Sequence, residues 1–452
     1  MSQHDLIICG GGPGGVMAAL QAGRLGLKTL LIERHGFLGG MNTAALVGPI
    51  MTFHAGSLQI VRGIPGQIFD DLKARGGTPG HLVDPIWGNT SMTPIDTESY
   101  KALLMEEMHR SGVELLLHTL VLGGRREGGQ VRSVQVSNKS GIREYSARFF
   151  IDATGDGDLA ARLGCEFIMG RTQDHAVQPM TLMFRMHGVN WDTVYDSIRE
   201  EPSNFYLGFP LEKYLSLPGR AVSGFFRQVA EGKKDGSFPL DRDRVLFFQG
   251  NRKDEATLNT LRINGVNGTS AEDLTRAEFE LRRQVPTLVK FLVDRIPGFR
   301  EAHVTETAAQ VGVRETRHVL GDVILRADDI FHQRKFQDVV AHASYPIDIH
   351  SPDGSGMKII DPRKDNPESF YDIPFRSLLP LGTSNLIVTG RCISAEHEAS
   401  ASARISATCM ALGQASGAAV SVALDSGREN FRDIRVESLQ RKLRDQGAFL
   451  QV

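Results

Sequence analysis

The sequence predicts an α/β protein: a Rossmann-like domain with a central parallel sheet and a β-meander, interrupted along the chain by a mixed α+β insertion. Three observations carry this expectation. The chain opens on a strand, a glycine turn, a helix and a second strand ending on an acid, all between Asp5 and Glu33. Two later apolar runs, 149–153 and 385–389, stop at small-residue turns. Between them, residues 166–384 change character, alternating near Met180 and turning helical after Ala271.

The first strand is Leu6-Ile7-Ile8-Cys9, the turn is Gly10-Gly11-Gly12-Pro13-Gly14-Gly15, the helix runs through Ala19 and Ala22, and Thr29-Leu30-Leu31-Ile32 is the second strand. Together they form a dinucleotide-binding βαβ unit. Gly10 permits the tight turn, Gly12 lets the backbone approach a pyrophosphate, and Gly15 lets the helix pack closely on the strand. Pro13 and Gly14 complete a turn whose helix N-terminus directs free N–H groups at phosphates. Glu33 is placed to accept hydrogen bonds from a ribose, a role that suits NAD and FAD alike.

After that strand comes a glycine-bearing loop, Arg34-His35-Gly36-Phe37-Leu38-Gly39-Gly40-Met41-Asn42-Thr43, where an ordinary NAD domain would enter another helix. A helix is expected over 97–110 and a strand over 113–121. Two short strands, Val131 to Ser137 and Ile142 to Tyr145, follow, joined by the turn composition Asn138-Lys139-Ser140-Gly141. This meander leads to the strand ending at Ala153, with Thr154 and Gly155 as its turn. In the middle region Met180, Leu182, Phe184 and Met186 alternate onto one strand face. A long helix starts near Ala271, with Thr269 and Glu272 spaced as a capping box and Leu274, Ala277, Leu281, Val285, Leu288 and Leu292 at helical spacing. Pro286 should kink it and Pro297-Gly298 should end it. The strand 385–389 then leads to Gly390-Arg391, and a small-residue helix is expected from about Arg404 to Leu424.

With these motifs in place the chain resembles the FAD-dependent oxidoreductases of the glutathione-reductase-type fold. More narrowly it is similar to a bacterial family related to the flavin subunit of heterodisulfide reductase. The residues that carry the likeness are the glycine turn, IDATGDGD at Ile151 to Asp158, GVRETR at Gly312 to Arg317, YPIDIH at Tyr345 to His350 and GRCISAEHEASASAR from Gly390 to Arg404. The resemblance implies FAD as cofactor and a discontinuous FAD domain, residues 1–165 and 385–452, around a substrate domain at 166–384. It places Val121 beside the adenine, contacting it through the backbone, and points the helix N-terminus at Ile405 and Ser406 toward the flavin. There the helix dipole and free N–H groups stabilise the negative charge that collects on reduction. Many such flavoproteins carry an acid after the final strand's glycine to hold the ribityl chain; here Arg391 stands there.

Composition narrows the function classes. A formal net charge of −2 with no basic stripe gives no electrostatic footprint for nucleic acid. No basic segment followed by an apolar run opens the chain, so a cytoplasmic protein is expected. Residues 405–424 could be misread as a membrane span, but Thr408, Gln414 and several serines and glycines argue for a helix packed under a sheet. The cysteines Cys9, Cys165, Cys392 and Cys409 are scattered, without a C-x-x-C pair, so neither an iron–sulfur cluster nor a redox disulfide is expected, and no metal. The electron-bifurcating role of the heterodisulfide reductase relative therefore does not transfer. Cys9 reads as a small core residue.

No second glycine fingerprint occurs in residues 160–380. The chain is accordingly expected to take electrons from a small-molecule substrate and pass them to oxygen, a quinone or a protein, or to work in the opposite direction; a homo-oligomer is compatible with the sequence. Candidate catalytic residues are His397, read as a loop residue near the flavin, His350, and Arg314 and Arg317. Either histidine suits proton removal from a hydroxyl while hydride leaves for the flavin. His350 shares a strand face with Asp348 at a backbone separation of roughly 7 Å, too far for one to orient the other. The arginines suit a carboxylate, but on a strand residues three apart face opposite sides, so only one can meet the flavin; an internal ion pair with Glu315 or Glu306 is the competing reading. The function expected is a dehydrogenase or oxidase for a small polar, hydroxylated or carboxylated substrate. The alternatives are an electron-transfer subunit and a tRNA-modifying flavoprotein.

Overall fold

The computed structural model describes residues 4–350, 357–361, 363 and 366–452. The expected opening unit is present as strand β1 (His4–Cys9), helix α1 (Pro13–Arg24) and strand β2 (Thr29–Ile32). Helix α2 (Thr97–Arg110) matches its expected span, capped by Asp96, whose side chain accepts from the backbone N–H of Ser99. The strand expected over 113–121 is instead two, β3 (Glu114–Leu116) and β4 (Leu120–Glu127), broken where His118 takes φ +50°. Strand β5 (Gln130–Asn138) follows. The hairpin's second strand and the strand ending near Ala153 are one continuous element, β6 (Gly141–Asp152).

That length lets β6 serve two structures. Its first half pairs antiparallel with β5, and β5 with β4, making the meander. Its second half is parallel to β1, and β1 to β2, and β2 to β3.

The insertion contains an antiparallel sheet of β7 (Phe184–His187), β8 (Ala221–Gly224), β9 (Val245–Gln249), β10 (Ala256–Leu258) and β11 (His303–Thr307), in the order β8-β9-β10-β7-β11. Of the expected strand at 180–186 only the end is regular. Met180 and Thr181 form isolated bridges to Ile263 and Gly312, although Met180, Leu182, Phe184 and Met186 are all buried. Helix α3 (Ala271–Arg295) packs Ala277, Leu281, Val285, Leu288 and Leu292 into this core and runs on through the exposed Pro286. Its cap is one residue later than expected: Ser270 accepts from the N–H of Asp273 at 3.1 Å, while Thr269 bonds Asn267.

Strand β12 (Ile347–His350) pairs with β13 (Met357–Ile360). Buried residues between 325 and 379, among them Val339, Ile347 and Ile373, lie in the core that holds α1 and not in the core of the insertion. Strand β14 (Leu386–Val388) then completes the parallel sheet beside β6. Helix α4 (His397–Ala403) and helix α5 (Ser406–Asp425) follow. By length and composition α5 can cross a membrane, yet 89% of its apolar window is buried inside the molecule. Its small residues have a packing reason. A Cβ on Gly413 would lie 2.0 Å from the carbonyl oxygen of Gly14, so α1 and α5 touch backbone to backbone. Cys9 sits in the core as expected, and all four cysteines are buried and free.

Candidate functional site

One continuous cavity of about 250 Å³ runs from the glycine turn to the face of the inserted sheet. Its near end is lined by Gly10, Gly12, Pro13, Gly14, Glu33, Arg34, Gly40, Met41 and Asn42. Ala153, Thr154, Gly155, Gly390, Arg391, Ile405 and Ser406 join them from the later motifs. Sheet order explains the convergence: β1 lies between β2 and β6, and β6 lies beside β14, so the turns that follow these strands open at one edge.

Backbone contacts shape this end. The N–H of Ala153 donates to the carbonyl of Cys9 at 2.8 Å. A Cβ on Gly10 (φ +104°) would meet the carbonyl oxygen of Ala153 at 2.4 Å, and one on Gly15 would meet that of Gly10 at 1.8 Å. A Cβ on Gly12 would find nothing closer than 3.9 Å. Gly10 and Gly15 therefore close the turn on protein, whereas Gly12 leaves it open to the cavity. The first turn of α1 has no side-chain cap and keeps its N–H groups for a ligand. Glu33 is buried, accepting from the N–H of Gly11 at 2.6 Å and of His35 at 2.8 Å, with carboxylate lone pairs left for a ribose.

Four residues expected at the cofactor do not border the cavity. Gly15 serves helix packing; Gly39 donates its N–H to Gly11 at 2.9 Å and Thr43 its hydroxyl to Leu38 at 2.8 Å, so both hold the loop's shape. Val121 pairs with Val136, and its carbonyl accepts from Arg162. Because the strand breaks at His118, the residues beside Glu33 and His35 are Thr119 and His118, whose N–H groups donate to those two carbonyls at 3.0 and 3.2 Å.

Arg391 is paired, its Nη2 lying 2.6 Å from Asp156 Oδ1. That carboxylate lies in the turn after the neighbouring strand, because β6 and β14 end side by side, and it does not itself border the cavity. The buried atoms Arg391 Nη1, Asn42 Oδ1 and Thr389 Oγ1 belong to cavity-lining residues and have no partner among the described residues. They are donors and acceptors kept for a polar group.

The far end is lined by Trp87, Phe248, Arg242, Arg314, Tyr345, Asp348, His350 and Arg404. His350 and Asp348 do meet, contrary to the strand-spacing estimate. Their side chains lean together to 3.3 Å between Nε2 and Oδ2, a distance that the backbone separation does not limit. Burial pulls the His350 pKa down to about 4 against the pull of Asp348. Burial opposes ionisation of Asp348, but His350 and the arginines Arg404 and Arg314 outweigh it and hold the carboxyl at about 2. At neutral pH the pair is a neutral imidazole beside a carboxylate.

Of the two arginines, only Arg314 reaches the cavity, donating to the carbonyl of Pro179 at 2.7 Å. Arg317 pairs with Asp158 at 2.9 Å and faces the Phe167 ring, away from the site. Neither pairs with Glu315 or Glu306; Glu306 binds Arg185 at 3.1 Å. His397 is not a loop residue. It begins α4, is buried, and places Nδ1 2.8 Å from Glu315 Oε1, while His318 approaches the same oxygen at 3.1 Å. Burial works against that carboxyl's ionisation, yet the two histidines hold it at about 2. Glu315 in turn accepts from the N–H of Gln178 at 3.0 Å, and Gln178 Oε1 faces the His350 N–H at 3.5 Å and Arg404 at 3.4 Å. Among the described residues, the hydrogen bonds that link His397 to the far end run through Glu315 and Gln178. Sequence reasoning missed Arg404 and Arg242. Arg404 closes the GRCISAEHEASASAR motif just ahead of α5, a signal that was available, whereas nothing around Arg242 marks it.

The family model of FAD dependent oxidoreductases matches residues 5–443, and the chain belongs to that family. The digeranylgeranylglycerophospholipid reductase of Thermoplasma volcanium is 24% identical over 220 residues, 46% of this chain and 51% of that protein. The enzyme of the same name from Methanocella arvoryzae is 30% identical over 162 residues, 34% of this chain and 40% of its own. The chain thus spans about half the length, or less, of these curated relatives. Dihydrolipoyl dehydrogenase 1 of Arabidopsis thaliana is 58% identical over only 38 residues, 8% of each chain. Among solved structures, p-nitrophenol 4-monooxygenase of Pseudomonas putida superposes with a TM-score of 0.51 at 11% identity, covering 99% of this chain and 94% of its own, which supports the fold alone. The protein is an FAD-dependent oxidoreductase with a Rossmann-like FAD-binding domain, and the open glycine turn, Glu33 and the unpartnered buried polar atoms fit that cofactor.

Proposed function

We propose that the enzyme oxidises a small polar substrate bearing a hydroxyl or carboxyl group, and that His350 takes the proton while hydride leaves a substrate C–H bond. The observation that carries this reading is the His350–Asp348 pair in the same cavity as the dinucleotide cradle. The Gly10–Gly14 turn, Glu33, Asn42, Thr154 and Arg391 would hold FAD, which would supply the two-electron acceptor. The glutathione-reductase-type variant of the fold is part of the proposal, supported by one long strand serving both sheet and meander.

With Nε2–H turned to Asp348, the lone pair of His350 Nδ1 is free; that atom is buried and has no partner among the described residues. Nδ1 takes the hydroxyl proton, the O–H bond's electrons form the new C=O bond, and the departing hydride carries two electrons. Asp348 then stabilises the imidazolium and keeps the ring oriented. The enzyme is restored when oxygen, a quinone or a redox protein takes the electrons; the lack of a second glycine fingerprint supports these over a nicotinamide. A geranylgeranyl lipid, mentioned in the relatives' name, suits the far end poorly, because hydrocarbon cannot solvate Arg242, Arg314 and Arg404.

Anaerobic mixing with a panel of small hydroxy and carboxylic acids, followed by flavin absorbance, tests the reading. At least one compound is expected to bleach the flavin, and His350→Gln should keep FAD and lose the bleaching. Reduction of the variant at the wild-type rate overturns it.

A further inference from the structure

Among the described residues that line it, the far end of the cavity carries more positive than negative charge. Arg242, Arg314 and Arg404 all border it, and the carboxylate among them is Asp348, 4.0 Å from Arg404 Nη2. A fourth arginine there, Arg244, is already paired with Asp243 at 2.8 Å. Arg314 gives one N–H to the Pro179 carbonyl, and Arg404 makes a 3.4 Å contact to Gln178. Arg242 has no side-chain hydrogen bond or ion pair among the described residues, and the Nε atoms of Arg242 and Arg404 are buried without partners. Burial lowers the Arg314 pKa to about 9, with Arg404 adding to the effect, and burial with Arg262 lowers Arg242 to about 10. The three remain cations at neutral pH, and among the described residues that line the far end Asp348 is the carboxylate facing them, since Asp243 is paired with Arg244, an arrangement that costs stability unless a ligand completes it.

We propose that the substrate carries two negative charges, as a dicarboxylate or a phosphate monoester, and that Arg242, Arg314 and Arg404 bind them. The proposal rests on the far end being the substrate chamber. Guanidinium forks match both carboxylate and phosphate oxygens, and two charges balance three arginines beside Asp348. Seating an anion there also answers a weakness of His350 as a base. Arg314 and Arg404 both help to depress its proton affinity, and their neutralisation leaves Asp348 as the charge facing the ring.

The test titrates the FAD-loaded enzyme with malonate, inorganic phosphate and uncharged malonamide, following both the flavin spectrum and the thermal midpoint. Because the cofactor's own phosphates are already seated, binding reports a second anion site. Malonate or phosphate should bind, more weakly as salt rises, and malonamide should not. Preference between the two anions separates the dicarboxylate from the phosphate ester. Arg242→Gln should weaken the bound anion roughly 10- to 100-fold, and Arg242→Lys, which keeps the charge but loses the fork, should fall between. Absence of anion binding, equal binding of malonamide, or unchanged affinity in both Arg242→Gln and Arg314→Gln overturns the proposal. His350→Gln separates this inference from the functional reading, since it should keep the anion affinity and lose only reduction. Arginine-dependent anion binding with wild-type reduction of that variant sinks the functional reading alone. Reduction by neutral alcohols that ignores Arg242 sinks the anion proposal alone.

Discussion

The two ends of the cavity are made of different parts. At the glycine-turn end, the groups facing the ligand come from the turns directly after β1, β2, β6 and β14, joined by the loop at Gly40–Asn42 and the N-terminus of α5. At the arginine end they are side chains from distant stretches: Trp87, Arg242, Arg314, Asp348 with His350, and Arg404. A site built from backbone tolerates many side chains nearby but not an added Cβ. One built from side chains tolerates small backbone adjustments but not a change of chemistry.

Substitutions can break that contrast, and the largest effect belongs to the backbone end. Gly15→Ala places a methyl 1.8 Å from the Gly10 carbonyl oxygen, which cannot retreat because Gly10 is itself pressed on Ala153. We expect more than about 3 kcal/mol of destabilisation and a colourless product, read by thermal unfolding and flavin content. Retention of FAD near the wild-type melting temperature would show that the turn is looser than its contacts imply.

Next comes the side-chain end. His350→Gln should hold FAD, unfold near the wild-type temperature, and slow flavin reduction about 100- to 10,000-fold, the range for a lost general base. The same residue leaves a mark on acid stability. Its folded pKa of about 4 lies below the ordinary value near 6.5, so between those pH values the unfolded chain binds more protons and stability falls as pH drops. The loss from His350 is at most roughly 3 kcal/mol, and His81, also lowered to about 4 by burial, adds to the same slope. Asp348, held at about 2, adds its own loss only below about pH 4. Denaturant titrations from pH 7 to pH 4 should be visibly flatter in His350→Gln; equal slopes would mean that the ring titrates in the folded protein as it does in the unfolded chain.

Smaller effects sharpen the boundary between the two ends. Glu33→Ala removes an acceptor but leaves the backbone cradle, so FAD retention should weaken by roughly 1 to 3 kcal/mol without loss of fold, measured by cofactor dissociation. His397→Gln keeps a donor for Glu315, which is hydrogen-bonded toward the chamber through Gln178; flavin reduction should slow by less than about tenfold, the span of 1.4 kcal/mol. A loss as deep as that of His350→Gln would return His397 to the proton-transfer step.

The amino-acid sequence by itself determined the cofactor end. β1, α1, β2 and Glu33 are contiguous, their chemistry depends on glycine positions and strand ends, and a local pattern suffices to specify both. Errors there were errors of continuity: the break at His118, which divided the strand expected over 113–121 and set Thr119 beside Glu33, and the fusion of two expected strands into β6. The capping of α3 at Ser270 and not Thr269 is a one-residue matter of the same kind. Only the tertiary structure decided the other end. That Arg314 enters the cavity while Arg317 leaves it, that His350 leans onto Asp348, and that His397 turns inward to Glu315 depend on which segments pack together. Arg242 and Arg404 stand 162 positions apart in the chain, so no local periodicity relates them. Side-chain direction at such positions is set by burial and by partners far along the chain, information that a linear pattern of residue types does not contain.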